Sequence, residues 1–113
     1  MHEVGVMLET LEIALEQAAR QGARQIHRLT LRVGALSGVV PEALEFAFDV
    51  VAQGTIAEGA ALVVDRVAIV CACAACGHEF QPPEFDYECP LCHTFGARVL
   101  RGQELELADL EVS

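Results

Sequence analysis

Two cysteine pairs constrain this chain more than any other feature: Cys73-Ala-Ala-Cys76 and Cys89-Pro-Leu-Cys92. Zinc prefers four soft or borderline ligands in a tetrahedron, and a C-x2-C pair lets two thiolates reach one ion from a tight turn. Twelve residues separate Cys76 from Cys89, enough for a short hairpin that returns the second pair to the same point. Gly77 follows the first pair and Pro90 lies inside the second, as turns around a knuckle tend to require. The expectation is a structural zinc site held by Cys73, Cys76, Cys89 and Cys92. A pair of disulfides is the competing reading and needs an oxidising compartment. The start is an acidic amphipathic segment rather than a basic then apolar leader, so a reducing, cytoplasmic setting is expected. Iron in a rubredoxin-like site is a further alternative that spacing leaves open.

Cys71 is an odd fifth cysteine. Its C-x-C spacing to Cys73 makes a swap of ligands conceivable, but a small apolar residue at the end of a strand is the expectation. His78 and His93 trail their pairs by two residues and one residue. Two readings stand for them: neighbours or replacement ligands of the metal, or exposed loop histidines.

At 113 residues the chain can carry one modest core plus a small metal-stapled lobe. Apolar residues make up 53%, ample for a globular domain, and no run approaches a transmembrane span, so no membrane partner is expected. Net charge is -10, and every basic side chain other than histidine is an arginine. The stretch from Cys71 to Gly96 carries Glu79, Glu84, Asp86 and Glu88 and no arginine. Zinc ribbons often bind nucleic acid, but phosphate demands cationic contacts that are missing here, which argues against that class. An acidic balance suits solubility, cation attraction or a basic protein partner.

Along the chain, Val4, Met7, Leu8, Leu11, Leu15 and Ala18 recur at helical spacing between Glu3 and Gln21, with Glu9, Glu12 and Glu16 opposite. Gly22 is placed to end that helix. Ile26 to Val33 alternates Leu29, Leu31 and Val33 with Arg28, Thr30 and Arg32, the pattern of a half-buried strand. Pro41 suits the first position of a second helix carrying Leu44, Ala47, Phe48 and Val51 and stopping near Gly54. Leu62 to Val70 reads as a second strand and Arg98 to Leu107 as a third, with Leu105 and Leu107 inward. The resulting expectation is an α/β (α+β) fold: a small three-stranded sheet with two helices, plus an inserted four-cysteine, zinc-ribbon-like domain. The α/β domain takes residues 1–69 and 97–113, and the insertion takes 70–96. The metal substitutes for a core that so short a segment could not build alone. The aromatics Phe80, Phe85, Tyr87 and Phe95 are expected to pack around the knuckle.

The tripeptide Met1-His2-Glu3 offers a second, open metal site. A free amine on Met1, the His2 amide nitrogen and the His2 imidazole can chelate one ion through fused rings. Such nitrogen coordination suits Ni(II) or Cu(II), which displace an amide proton as zinc seldom does. A helix beginning at Glu3 leaves its first amides without intrahelical partners, so deprotonating one breaks no helix bond. The helix dipole opposes a bare cation there, and a deprotonated amide with the Glu3 carboxylate offsets it. The plain alternative is a disordered start with a helix-favouring acid.

The whole chain resembles the HypA/HybF family, nickel metallochaperones for maturation of [NiFe]-hydrogenase. The likeness is carried by the start Met1-His2-Glu3 and by the run from Gly34 to Leu44. It is also carried by Gly54-Thr55-Ile56-Ala57-Glu58-Gly59-Ala60 and by both cysteine pairs with His78 and His93. The resemblance implies an α/β nickel domain with an inserted zinc domain. It implies Ni(II) as cargo at the N-terminus, with His2 as the indispensable ligand and Met1 and Glu3 completing or supporting the site. It implies structural Zn(II) on Cys73, Cys76, Cys89 and Cys92. The partners implied are a GTPase of the maturation pathway and the hydrogenase large subunit, with urease served in some organisms. Monomer and homodimer both remain open, and Cys71 departs from the family pattern.

Chaperoning rather than catalysis is therefore expected: four thiolates leave a metal no open position, and no other catalytic constellation emerges. The runner-up is a zinc-ribbon adaptor that binds protein partners and has no nickel role.

Overall fold

Each helix forms where the apolar spacing asks for one, and two of the three expected strands break where the backbone crosses between two sheets. The computed structural model describes residues 3–113, the Phe85 side chain excepted. The first helix, α1, runs Glu3–Arg20 and buries Met7, Leu11, Ala14 and Ala18. It closes with the Ala23 N–H on the Ala18 carbonyl at 2.9 Å and the Gly22 N–H on that of Ala19 at 3.0 Å. Val4 and Leu8, expected on the buried stripe, are instead exposed. Val4 lines a cleft beside the second helix.

Strand β1, Ile26–Gly34, follows. Its buried residues are Ile26, then Leu29, Leu31 and Val33, because an irregularity around His27 shifts the alternation by one residue. The second helix, α2, is Pro41–Val51, with proline in its first turn and Leu44, Ala47 and Phe48 buried. It is the crossover that a parallel pairing of β1 with β2, Ala61–Val67, requires.

The apolar run to Val70 does not form one strand. It breaks at Ala68-Ile69, and Val70–Cys73 (β3) enters a second sheet. Arg98–Leu107 likewise splits. Ala97–Arg101 pairs with β3, and Leu105–Val112 returns to pair with β1. With Glu79–Phe80 as β4, we number these two strands β5 and β6. The sheets are thus ordered β2-β1-β6 and β4-β3-β5. A shift at Ala108 moves the inward phase of β6, so Leu107, Leu110 and Val112 pack on the core. Leu105, expected inward, is exposed.

Both helices cover one face of the first sheet, and α1 packs on α2. The other face carries Arg28 with Glu111, and Arg32 with Asp65 and Glu106, as exposed ion pairs. A second core holds Ile69, Cys71, Cys73, Phe80 and Cys89, with Leu36, Tyr87, Ala97 and Val99 against it. Two small cores make an elongated molecule. Its radius of gyration is 17.5 Å, where a compact chain of this length has about 13 Å.

Leu36 belongs to the turn after β1 yet packs on the core of the cysteine lobe. Its N–H donates to the Gly102 carbonyl at 2.7 Å, Ala35 N–H to that of Val67 at 3.0 Å, and Gly34 N–H to that of Glu104 at 2.7 Å. One turn of the α/β lobe thereby holds both chain crossings between the sheets.

Candidate metal centres

Each cysteine pair sits in a loop closed by its own backbone. The Cys73 N–H donates to the His78 carbonyl at 2.9 Å and the Gly77 N–H to the Cys73 carbonyl at 2.8 Å. In the second loop, the Cys89 N–H donates to the Thr94 carbonyl and the His93 N–H to the Cys89 carbonyl, both at 2.9 Å. The residue after each second cysteine has a left-handed backbone: Gly77 at φ +78° and His93 at φ +63°. The two loops are therefore near-copies, and β3, β4 and β5 hold them face to face.

This arrangement brings Cys73, Cys76, Cys89 and Cys92 together, with all four sulfurs within 4.8 Å of one another. Cys73 Sγ lies 3.5 Å from Cys92 Sγ, and Cys76 Sγ 3.6 Å from Cys89 Sγ. A disulfide bond measures only about 2 Å. Four thiolates around an ion at about 2.3 Å have sulfur–sulfur edges near 3.8 Å. The geometry fits a tetrahedral, closed metal site. Cys73 and Cys89 are buried and Cys76 and Cys92 exposed, so one member of each pair anchors the loop in the core.

Proton affinities in this cluster diverge. The Thr94 hydroxyl, 3.4 Å from Cys92 Sγ, and the Thr94 amide hold the Cys92 thiol down to about 6. The His78 amide favours the Cys76 thiolate, but desolvation and the thiols of Cys89, Cys92 and Cys73 outweigh it and push Cys76 up to about 12. Four like charges cannot share so small a space unless protons or a cation neutralise them. A divalent cation does so with the right donor chemistry. Thr94 was missed in the sequence; its only signal there is its place two residues after Cys92.

Cys71 lies outside this cluster. It is wholly buried in β3 between Phe80 and Val99, and burial pushes its thiol up. His78 stacks on Phe80 with ring centroids 6.4 Å apart. His93 reaches toward Glu88, 3.8 Å away. Leu91 and Phe95 stand exposed in the second loop, so Phe95 does not pack around the knuckle as expected.

At the other end of the molecule, Met1 and His2 lie outside the described residues, and with them the core of the proposed nickel site. Glu3 is described. It opens α1 and lines, with Val4, Ala43, Phe46 and Ala47, a cleft of about 370 Å³. Its carboxylate accepts the Val40 N–H at 3.4 Å. No helix among the described residues is long and apolar enough to cross a membrane.

A two-helix α/β lobe joined to a four-thiolate lobe defines a class of metal-handling protein. The family model described as "Hydrogenase/urease nickel incorporation, metallochaperone, hypA" matches residues 1–112, and the chain belongs to this HypA family of nickel metallochaperones. It is 54% identical to the hydrogenase maturation factor HypA of Picosynechococcus sp., over 99% of each chain. It is 41% identical to that of Geobacter metallireducens over the same shares. The solution structure of the nickel metallochaperone HypA from Helicobacter pylori superposes with a TM-score of 0.68 at 26% identity, covering 99% of this chain and 97% of that one.

Proposed function

We propose that this chain carries Ni(II) on its N-terminal residues and hands it to the [NiFe]-hydrogenase large subunit during maturation. The observation that carries this reading is a family match that begins at residue 1 and so takes in Met1-His2-Glu3. The His2 imidazole is the principal ligand, joined by the Met1 amine and by the backbone amides of His2 and Glu3. Deprotonated amides are strong donors to nickel, and their protons leave to solvent as the metal enters. A site at a chain end can trade its ligands one by one with those of a recipient.

Cys73, Cys76, Cys89 and Cys92 hold zinc in this reading. Zinc supplies cross-linking there, since four thiolates leave it no open position for catalysis. We assign β5 to the zinc lobe by its pairing with β3. The GTPase of the pathway and the large subunit are the partners we infer, with urease accessory proteins as further recipients. A cytoplasmic setting suits the reduced thiols. Catalysis forms no part of this function.

Calorimetric titration of tag-free, zinc-loaded protein with Ni(II) tests the reading, beside His2→Ala and a variant extended before Met1. Wild type should bind about one nickel tightly, and both variants should lose it. Equal binding by all three would overturn the terminal chelate and favour a zinc-ribbon adaptor without a nickel role.

A further inference from the structure

Strand β6 forms one edge of the first sheet: β1 pairs along one side of it, and among the described residues nothing pairs along the other. This open edge is long, eight residues from Leu105 to Val112. Of the two helices, α1 lies over the β6 side of the sheet and α2 over the β2 side. Between α1 and the open edge runs a groove of about 290 Å³, lined by Gln17, Gln21 and residues Leu107 to Leu110. Ile13, one turn before Gln17 on the same side of α1, is 51% exposed.

Unpaired backbone donors and acceptors at a sheet edge are a template for another strand. A strand added here has both of its faces provided for. Its inward side chains meet Ile13 and the two glutamine amides, and its outward ones meet the acidic face of β6. On that face Glu106 is engaged by Arg32 at 3.0 Å and Glu111 by Arg28 at 2.9 Å. Asp109 stands between them, opposite Thr30, with no ion pair among the described residues.

A second copy of the chain is a poor occupant. Antiparallel pairing of two β6 strands sets Glu106, Asp109 and Glu111 against their own like, which is destabilising. The irregularity at Ala108 also bends the strand away from long, flat pairing. Both features guard against self-association, and neither guards against a short cationic strand.

We propose that the open edge of β6 is a docking site for an extended, basic segment of a protein partner, added as a further strand of the first sheet. Main-chain hydrogen bonds hold the segment. An arginine or lysine beside Asp109 and an apolar side chain over Ile13 give it specificity. A chain of net charge -10 draws such a segment in from solution. The surface belongs to the α/β lobe and uses neither the thiolate cluster nor the N-terminal residues.

Titration of the full, zinc-loaded chain with a capped peptide of about seven residues, alternating valine and arginine, tests this by amide shifts in NMR. Shifts should gather on β6 and on the Gln17 and Gln21 side-chain amides. A copy of the peptide methylated on every backbone nitrogen keeps its charge but donates no edge hydrogen bond. It should bind at least about ten-fold more weakly. Asp109→Asn should weaken binding of the unmodified peptide about three-fold, and a copy with glutamate in place of arginine should not bind.

Unmoved β6 amides would overturn the proposal. Equal binding by the methylated copy would do so too, since charge attraction alone would then explain the contact. A dimer in sedimentation, with β6 amides protected in the peptide-free protein, would give the edge to a second copy and likewise overturn it.

Discussion

Gly34 and Gly102 touch backbone to backbone: a Cβ on Gly34 would overlap the Gly102 carbonyl. Gly102 has φ +117°, and a Cβ there would lie 2.9 Å from the Ile69 Cα. Both chain crossings between the sheets pass this point, so a side chain here would push the lobes apart.

Gly102→Ala should therefore destabilise the protein by about 3 kcal/mol, from backbone strain together with the clash. Thermal unfolding of the zinc-loaded protein should show a midpoint lowered by roughly 10 °C or more. A shift of only a degree or two would mean that the crossing relaxes easily.

Glu104 clamps the same crossing. Its Oε1 accepts the Gly102 N–H at 2.7 Å. Its own backbone amide first, and then that of Gly102, hold its carboxyl below the usual 4.5. A depressed carboxylate contributes stability that is present above its unfolded value and lost as pH falls through the folded one. Glu104→Gln should lower the melting temperature at pH 7, and the difference should shrink as pH falls below the usual 4.5 and through the depressed value. A loss that does not change with pH would assign the effect to packing.

His93 occupies with φ +63° the place that Gly77 occupies with φ +78°. A left-handed backbone costs a residue with a Cβ about 1 kcal/mol. Gly77→Ala should weaken the zinc-loaded protein by about that amount, and His93→Gly should leave it equal or slightly more stable. Urea unfolding monitored in the cysteine lobe reads both. A clear loss in His93→Gly would show that the imidazole is needed there.

Stripping the metal should unfold one lobe and spare the other. The four-thiolate lobe has a small core of its own, whereas the α/β lobe buries two helices on a sheet. Under chelator, amide exchange in β3, β4 and β5 should lose protection while β1, β2 and β6 keep theirs. Because thiols must lose protons to hold a metal, stripping should be faster at pH 6 than at pH 8. Global unfolding on chelation would contradict this division.

Phe46 and Phe48 sit two residues apart in α2 with opposite fates: Phe46 is 73% exposed and Phe48 2%. Phe48→Ala should cost about 3 to 5 kcal/mol by leaving a cavity. Phe46→Ala should cost well under about 1 kcal/mol in the isolated chain. Differential scanning calorimetry on both separates a packing residue from a surface one.

The metal cluster was legible because its signal is local: C-x2-C twice, with turn residues attached, limits the loops to a few conformations. The two helices and the central strand were legible from their periodicity, and α2 from Pro41. The long strands ending at Val70 and Leu107 misled, because a continuous apolar run does not say which sheet each half joins. Leu105 shares the phase of Leu107, but it opens β6 beside the crossing and is left exposed, which alternation alone does not show.

By itself, the sequence determined the chemistry on offer: four thiolates in two turn-forming pairs, an acidic surface, and Met1-His2-Glu3 ahead of an amphipathic helix. Those depend on residue type and short spacing, which local sterics and ligand preference read directly. Tertiary structure alone decided how the ends relate. The Gly34–Gly102 contact, Leu36 in the other lobe's core and Glu3 on the Val40 N–H each join residues far apart in the chain. Backbone groups make the first of these contacts and supply the donor of the last, and backbone is the same in every residue, so no side-chain pattern foretells which will meet.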